Sequence, residues 1–369
     1  MNRVGVIGGG QLARMMIPAA INLGLDLRVF AEASDASAGL ALDRVGDYNN
    51  FGELLGFAKS VDVVTFDHEH VPIGHLQKLR EFGVSVFPPP EALALTHSKI
   101  EMRKALDLLD IPQPMWAVLE NEQDPGPVLN TVKGFPCIAK LPSGGYDGKG
   151  VRVINSLDEI EDWISQGPVL LEEEVSFSRE LAQVGARTPG GEWASWQVVE
   201  TRQVGGVCSS VVAPAQSLLK GQTSDASRIA EVIAREFNVV GVMAVELFES
   251  VDGRLLVNEL AMRPHNSGHI FTELSRTGQF EQHLRAVSGY PLGSTEFVSE
   301  VGIMVNIFGR VPLEGAKQAL RAHPEIKLHS YGKAPRPGRK AGHLSLVGSD
   351  YDQVRAVTTH SQNMLDSFD

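Results

Sequence analysis

Cysteine is scarce in this chain. Two stand in 369 residues, Cys137 and Cys208, with neither a CxxC spacing nor histidines at ligand spacing. That speaks against a disulfide framework and against a structural zinc site. Long apolar runs are missing too: no segment approaches the ~20 residues a membrane helix needs. Glycines interrupt the one short apolar run near the start, and no charged region precedes it. The expectation is a cytoplasmic protein with no membrane partner. Positive charge is in deficit, with a net charge of −12, which argues against nucleic acid as the main ligand. Basic clusters inside so acidic a chain therefore suggest small anionic ligands. The remaining composition, 43% apolar and 21% charged, is that of a globular protein with two or three domains.

What is present is organised around residues 257–269, Val-Asn-Glu-Leu-Ala-Met-Arg-Pro-His-Asn-Ser-Gly-His. An apolar run at 255–257 delivers Asn258 and Glu259, and behind them come Arg263, His265, Asn266, Ser267 and His269, groups able to hold an anion or a metal-bound oxygen. Residues 242–248 are apolar except for Glu246, and Asp252-Gly253 between the two runs is a two-residue hairpin signal. If those two form the loop, opposed positions sum to 505, and Glu246 faces Glu259. Like charges so placed repel, and a hard divalent cation with oxygen ligands would offset the repulsion. Asn258 would point to the other face of a regular strand, so it can join such a site only if the strand breaks there. Two solvated edge acids are the alternative.

At the amino end, residues 4–7, 25–30, 61–66 and 84–87 read as strands alternating with helices at 11–23 and 73–82, a parallel sheet with crossover helices. Gly8-x-Gly10-x-x-Ala13 matches the dinucleotide fingerprint, with Glu32 near the position of its ribose-binding acid. Any tight strand-to-helix turn also needs small residues. Three prolines at 88–90 stiffen the exit from this region, and a helix over 96–109 carries Lys99 and Arg103 on one face, a pair that is usually solvated.

Residues 136–140 form a strand that leads into Pro-Ser-Gly-Gly-Tyr-Asp-Gly-Lys-Gly at 142–150 before a strand resumes at Val151. Such a loop can close backbone N–H groups around a phosphate. It lacks the GxxxxGK[ST] spacing and returns to a strand, so it reads as a mobile flap over a nucleotide, with a plain hairpin as the alternative. The strand ending in Glu172, Glu173, Glu174 and Val175 could meet an adenine edge through its main chain, and Glu180 could accept from ribose hydroxyls. Helices are expected at 227–237 and 271–288, and short strands at 301–307, 326–330 and 342–346. Between the last two, Lys333, Arg336, Arg339 and Lys340 lie on a loop stiffened by proline and glycine, either a phosphate- or carboxylate-binding loop or a solvated basic turn.

Together these pieces resemble the ATP-grasp superfamily, most specifically at residues 8–15, 143–150, 263–269 and 336–343, and the likeness runs over essentially the whole length. Within it the chain is similar to the ATP-dependent carboxylases of purine biosynthesis that act on an aminoimidazole ribonucleotide. The resemblance implies an α/β ATP-grasp fold: a Rossmann-like domain over 1–96, an ATP-grasp domain over 97–298 with a lid at about 115–190, and a small β-rich domain over 299–369.

It further implies that Lys99 and Lys140 hold the ATP phosphates beneath Gly145, Tyr146, Asp147, Gly148, Lys149, Gly150 and Val151. Glu172, Glu173, Glu174 and Val175 would receive adenine, Glu180 the ribose, and Gln203 would lie beside the nucleotide. Glu246, Glu259 and Asn258 would bind Mg2+, or Mn2+. Gly10, Gln11, Leu12, His265, Asn266, Ser267, Lys333, Arg336, Arg339 and Lys340 would face the ribonucleotide, and Tyr146, Asp147, Arg263 and Lys340 would serve its carboxylation by bicarbonate through carboxyphosphate. A homodimer is implied as well. Two departures stand out: Glu200-Thr-Arg-Gln203 where these enzymes usually have Glu-Asn-x-His, and Met262 in place of a proline. Three other readings remain. One is a different ATP-grasp ligase, such as a formate-dependent glycinamide ribonucleotide transformylase, against which residues 336–343 argue. The second is an NAD-dependent oxidoreductase built on the Gly8 turn, and the third a nucleotide-binding relative without turnover.

Overall fold

The computed structural model describes residues 2–144 and 150–368. Its first layer is a parallel sheet in the order Leu42–Val45, Asp26–Ala31, Arg3–Ile7, Val63–Phe66. Val4, Val6, Val29, Phe30, Val64 and Phe66 are buried, as they must be where helices cover both faces of a parallel sheet. Helix Gln11–Leu23 begins where expected and buries Leu12, Ala13 and Met16. The strand expected at 84–87 forms only a single bridge, Val86 to Val64. The helix expected over 96–109 is interrupted at Ser98, which ends Pro90–His97 and caps Lys99–Leu108 by accepting from the Glu101 N–H at 3.3 Å. Ser98-x-x-Glu101 is the sequence form of a capping box.

A small antiparallel sheet follows, ordered Trp116–Leu119, Val169–Glu173, Cys137–Lys140, Val151–Ile154. The main sheet has nine strands. Its path runs Leu255–Ala261, Gly241–Ser250, Phe177–Arg187, Val199–Val204, Val207–Ala213, Val301–Gly309, Arg336–Gly348, Lys327–Ser330, with Trp193–Ser195 against Phe177–Arg187. The carboxy-terminal strands are thus continuous with the strands that precede them in the sheet, joined by pairs from Ser210↔Val305 to Ala213↔Gly302. They keep a core of their own, in which Val354 and Leu365 of helix Tyr351–Asp366 pack on Ile303, Val305, Leu344 and Leu346. The helix expected at 271–288 is two, Phe271–Leu274 and Gln279–Val287.

Candidate active site

The Glu246/Glu259 pairing holds, by a different route from the one the turn suggested. The hairpin loop has three residues, not two. Gly253 N donates to Ser250 O at 2.8 Å, Ser250 N to Arg254 O at 2.9 Å, and Gly253 takes φ +83°, the form of a type I turn closed by a left-handed residue. Pairs near the turn therefore sum to 504: Glu249↔Leu255, Phe248↔Leu256, Leu247↔Val257. A bulge at Asn258 then adds one residue, so Glu246 faces Glu259. The same break frees Asn258 from strict alternation. Two errors of one residue cancel.

Each acid already has a protein partner. His265 Nε2 lies 3.1 Å from Glu246 and Lys99 Nζ 2.5 Å from Glu259. Burial pushes the Glu246 carboxyl up, but His265, Lys340 and Arg263 outweigh it and hold the group below its ordinary range. No cluster of three acidic, histidine or cysteine side chains stands ready for a metal among the described residues. Two opposed carboxylates and an amide oxygen still suit a hard cation whose other ligands are phosphates and water.

Arg103, expected on a solvated helix face, is wholly buried. Its Nε donates to Glu172 at 2.8 Å, and Glu172 in turn lies 2.8 Å from Lys140 Nζ, which also reaches Asn258 Oδ1 at 3.1 Å. Burial lowers the Lys140 pKa against the pull of Glu172. Glu172 is held by these ion pairs, is flanked by strands on both sides, and lines the cleft. Glu173 is also engaged, accepting from Met115 N at 3.0 Å and from Lys133. Glu174 and Val175 lie beyond the last ladder pair and line the cleft. Glu180 is half-buried there; burial first, and then the Glu246 charge, push its pKa up to about 7. Gln203 also lines the cleft, at a register shift in its strand.

Around the organising stretch, Arg263 Nε lies 3.3 Å from Glu69, which also accepts from Met262 N at 2.6 Å. Asn266 exchanges hydrogen bonds with Asn306 at 3.0 and 2.7 Å. Ser267 is buried and bonded to His265 Nδ1 at 2.8 Å, so it orients His265 rather than facing a substrate. His269 is buried behind the cleft, stacked on His343 at 4.9 Å. At the glycine turn, Gly10 N is already bonded to Asp67 at 2.7 Å and Ala13 N to its other oxygen at 2.8 Å. A carboxylate thus occupies the helix amino terminus where a dinucleotide's pyrophosphate would sit. Gln11 and Leu12 line the cleft, and Lys333 reaches Gln11 Oε1.

The basic segment is a strand rather than a loop. Arg336–Gly348 pairs with Val301–Gly309, but Gly309↔Arg336 is followed by Phe308↔Lys340. Pro337, Gly338 and Arg339 bulge from the ladder, because proline has no N–H to offer and Gly338 takes φ +71°. Arg336, Arg339 and Lys340 line the cleft. Gly145, Tyr146, Asp147, Gly148 and Lys149 lie outside the described residues; Gly150 accepts from Leu141 N at 2.9 Å, and Val151 lines the cleft.

Sequence reasoning passed over Asp67 and Glu69 as well as Arg103. A signal existed: strands Arg3–Ile7 and Val63–Phe66 are neighbours at the point where the sheet order reverses, and ligands bind beyond the carboxyl ends of strands at such a point. The cleft has a volume of ≈ 1360 Å³, more than the roughly 300–1,000 Å³ of a single small-ligand site. It has room for a nucleotide and a second substrate.

A small antiparallel sheet, an acid-bearing hairpin and a parallel amino-terminal domain define an ATP-grasp protein. The ribonucleotide synthetase preATP-grasp domain family matches residues 1–97, the ATP-grasp domain family 104–280, and the phosphoribosylaminoimidazole carboxylase C-terminal domain family 302–357. N5-carboxyaminoimidazole ribonucleotide synthase of Mycobacterium tuberculosis is 44% identical over 95% of this chain and 85% of its own length. The Pseudomonas aeruginosa protein of that name is 35% identical over 99% and 100%. The Aspergillus clavatus synthase, solved with ADP and 5-aminoimidazole ribonucleotide, superposes with TM-score 0.88 at 30% identity over 99% of both chains. The chain belongs to the N5-carboxyaminoimidazole ribonucleotide synthase family.

Proposed function

We propose that this enzyme carboxylates 5-aminoimidazole ribonucleotide to N5-carboxyaminoimidazole ribonucleotide, an ATP-dependent ligase step of purine biosynthesis, with bicarbonate as the carbon source. The observation that carries this reading is one cleft in which Lys99, Lys140, Asn258 and the opposed Glu246/Glu259 share a space with Arg263, His265 and the Arg336–Lys340 bulge. The first set suits a nucleotide triphosphate; the second suits an anionic co-substrate. Full-length kinship to synthases supports the pairing of the two.

In this reading a bicarbonate oxygen attacks the γ-phosphorus of ATP, the bond to ADP breaks, and carboxyphosphate forms. The ribonucleotide's exocyclic amine then attacks the carboxyl carbon, phosphate leaves and the nitrogen loses a proton. Lys99 and Lys140 balance charge on the phosphates, and Glu246, Glu259 and Asn258 would hold Mg2+ or Mn2+. Such a cation would supply charge neutralisation for the phosphoryl transfer. Glu174 and Val175 offer main-chain groups to adenine and Glu180 a carboxylate to ribose, with Gln203 alongside. Arg263, His265, Lys333, Arg336, Arg339 and Lys340 hold the anionic ends of ribonucleotide and bicarbonate, together with Gln11, Leu12 and Asn266. Tyr146 and Asp147 would approach the reacting carboxyl, and the glycine flap, 145–151, would exclude water from carboxyphosphate. The protein is proposed to act in the cytoplasm as a homodimer.

ADP release, followed with and without the ribonucleotide in bicarbonate- and Mg2+-containing buffer, tests this. Stimulation by the ribonucleotide, lost on bicarbonate depletion or Mg2+ chelation, is expected. Stimulation by formate and glycinamide ribonucleotide instead would overturn it.

A further inference from the structure

We propose that Arg103 is a positioning residue for the phosphate- and cation-binding face, acting through the hairpin bulge; this rests on the nucleotide site described above. Arg103 sits on helix Lys99–Leu108, one turn after Lys99, with no solvent exposure. Its Nη1 donates to Val257 O at 2.7 Å and its Nη2 to Asn258 O at 3.0 Å. Successive carbonyls of a regular strand point to opposite sides, so one guanidinium cannot take both. Here it can, because the register slips between Leu247↔Val257 and Glu246↔Glu259. The planar fork therefore fits the bulge and not the regular strand it replaces.

Two further contacts extend the hold. Nη1 also reaches Gln113 Oε1 at 3.2 Å, and Nε holds Glu172 at 2.8 Å. Glu172 fixes Lys140 Nζ at 2.8 Å, and Lys140 meets Asn258 Oδ1 at 3.1 Å. One buried cation thus sets three things at once: the register that opposes Glu259 to Glu246, the direction of Asn258, and the place of Lys140 on the small lid sheet. The guanidinium is wholly buried behind the residues that line the cleft, so Arg103 acts through other residues.

Arg103→Lys keeps the charge beside Glu172 but has no fork to take two carbonyls. Removing a partner that orients metal ligands typically costs about 10–100-fold in metal affinity or activity. In the variant, ADP binding measured by calorimetry with Mg2+ should weaken about tenfold or more. Turnover should fall about 10–100-fold while the KM for aminoimidazole ribonucleotide is unchanged. A residue that only stabilised the fold would lower the melting temperature and leave Mg2+-dependent ADP affinity alone; that result, in a folded R103K protein, overturns the proposal. If R103K does not fold, Gln113→Leu removes one arm of the fork's support. Weaker Mg2+·ADP binding by Q113L supports the proposal and wild-type binding overturns it. The calorimetric readout needs no ribonucleotide, so loss of Mg2+·ADP affinity in a protein that never responds to the ribonucleotide would strike the proposed reaction and leave this inference standing.

Discussion

Glu180→Gln should stabilise the ligand-free protein at pH 8 while weakening its hold on nucleotide. Burial and the Glu246 charge raise the Glu180 carboxyl from 4.5 to about 7. Between those values the folded protein binds more protons than the unfolded chain, so this group's contribution is fully present below about pH 4.5. It is lost as pH rises through about 7. A shift of roughly 2.5 units corresponds to at most ~3.4 kcal/mol. Glu180 is only half-buried, and solvent screening brings the working figure to about 1–2 kcal/mol. Denaturant unfolding of both proteins at several pH values between 4 and 9 reads it directly: the difference in stability should move in the variant's favour by that amount across the window and be flat outside it. Ribose hydroxyls donating to the carboxylate favour its charged form, so ADP binding near pH 6.5 should expel roughly half to three-quarters of a proton in wild type. Buffer-dependent calorimetric heats measure that release, which E180Q should lack. Parallel stability curves for the two proteins at every pH would refute the reasoning.

Glu259→Gln removes one of the opposed acids and the charged partner of Lys99; ADP release should fall by at least about 10²-fold, with the circular dichroism spectrum unchanged. Glu69→Gln loosens Arg263 and the Met262 amide; turnover should fall about tenfold while Mg2+·ADP binding stays at wild-type strength, a split that steady-state kinetics and calorimetry expose together. Gly253→Ala places a Cβ at φ +83° and 2.8 Å from Leu219 Cδ1. It should cost about 1–2 kcal/mol in denaturant unfolding, with activity per folded molecule preserved.

What the sequence made legible was local pattern and order. Residues 11–23 gave the helix Gln11–Leu23 because small residues turn the chain before it and apolar positions recur at helical spacing. Facing acids at 246 and 259 were legible from apolar runs around a turn, although the turn has three residues and the bulge restores the count. Arg103 was not legible, since i, i+4 spacing fixes which face a side chain shares and says nothing of what covers that face. Its depth comes from Glu172 and Val257, 69 and 154 residues away. The ion pairs of Glu172 were not legible for the same reason: an acidic strand end looks open until the lysine and arginine that close on it are known. The basic segment was taken for a loop because Pro337 and Gly338 are turn residues; as bulge residues they break the ladder just as well without ending the strand.

The ladder joining Val207–Ala213 to Val301–Gly309 has a consequence for anyone dissecting the molecule. A chain cut near residue 298 would strip away the neighbour of an interior strand and leave a raw rim of amides and carbonyls, prone to stick to its own kind. The cationic wall and the acidic wall are woven on one loom, so neither can be grafted elsewhere without reweaving the other.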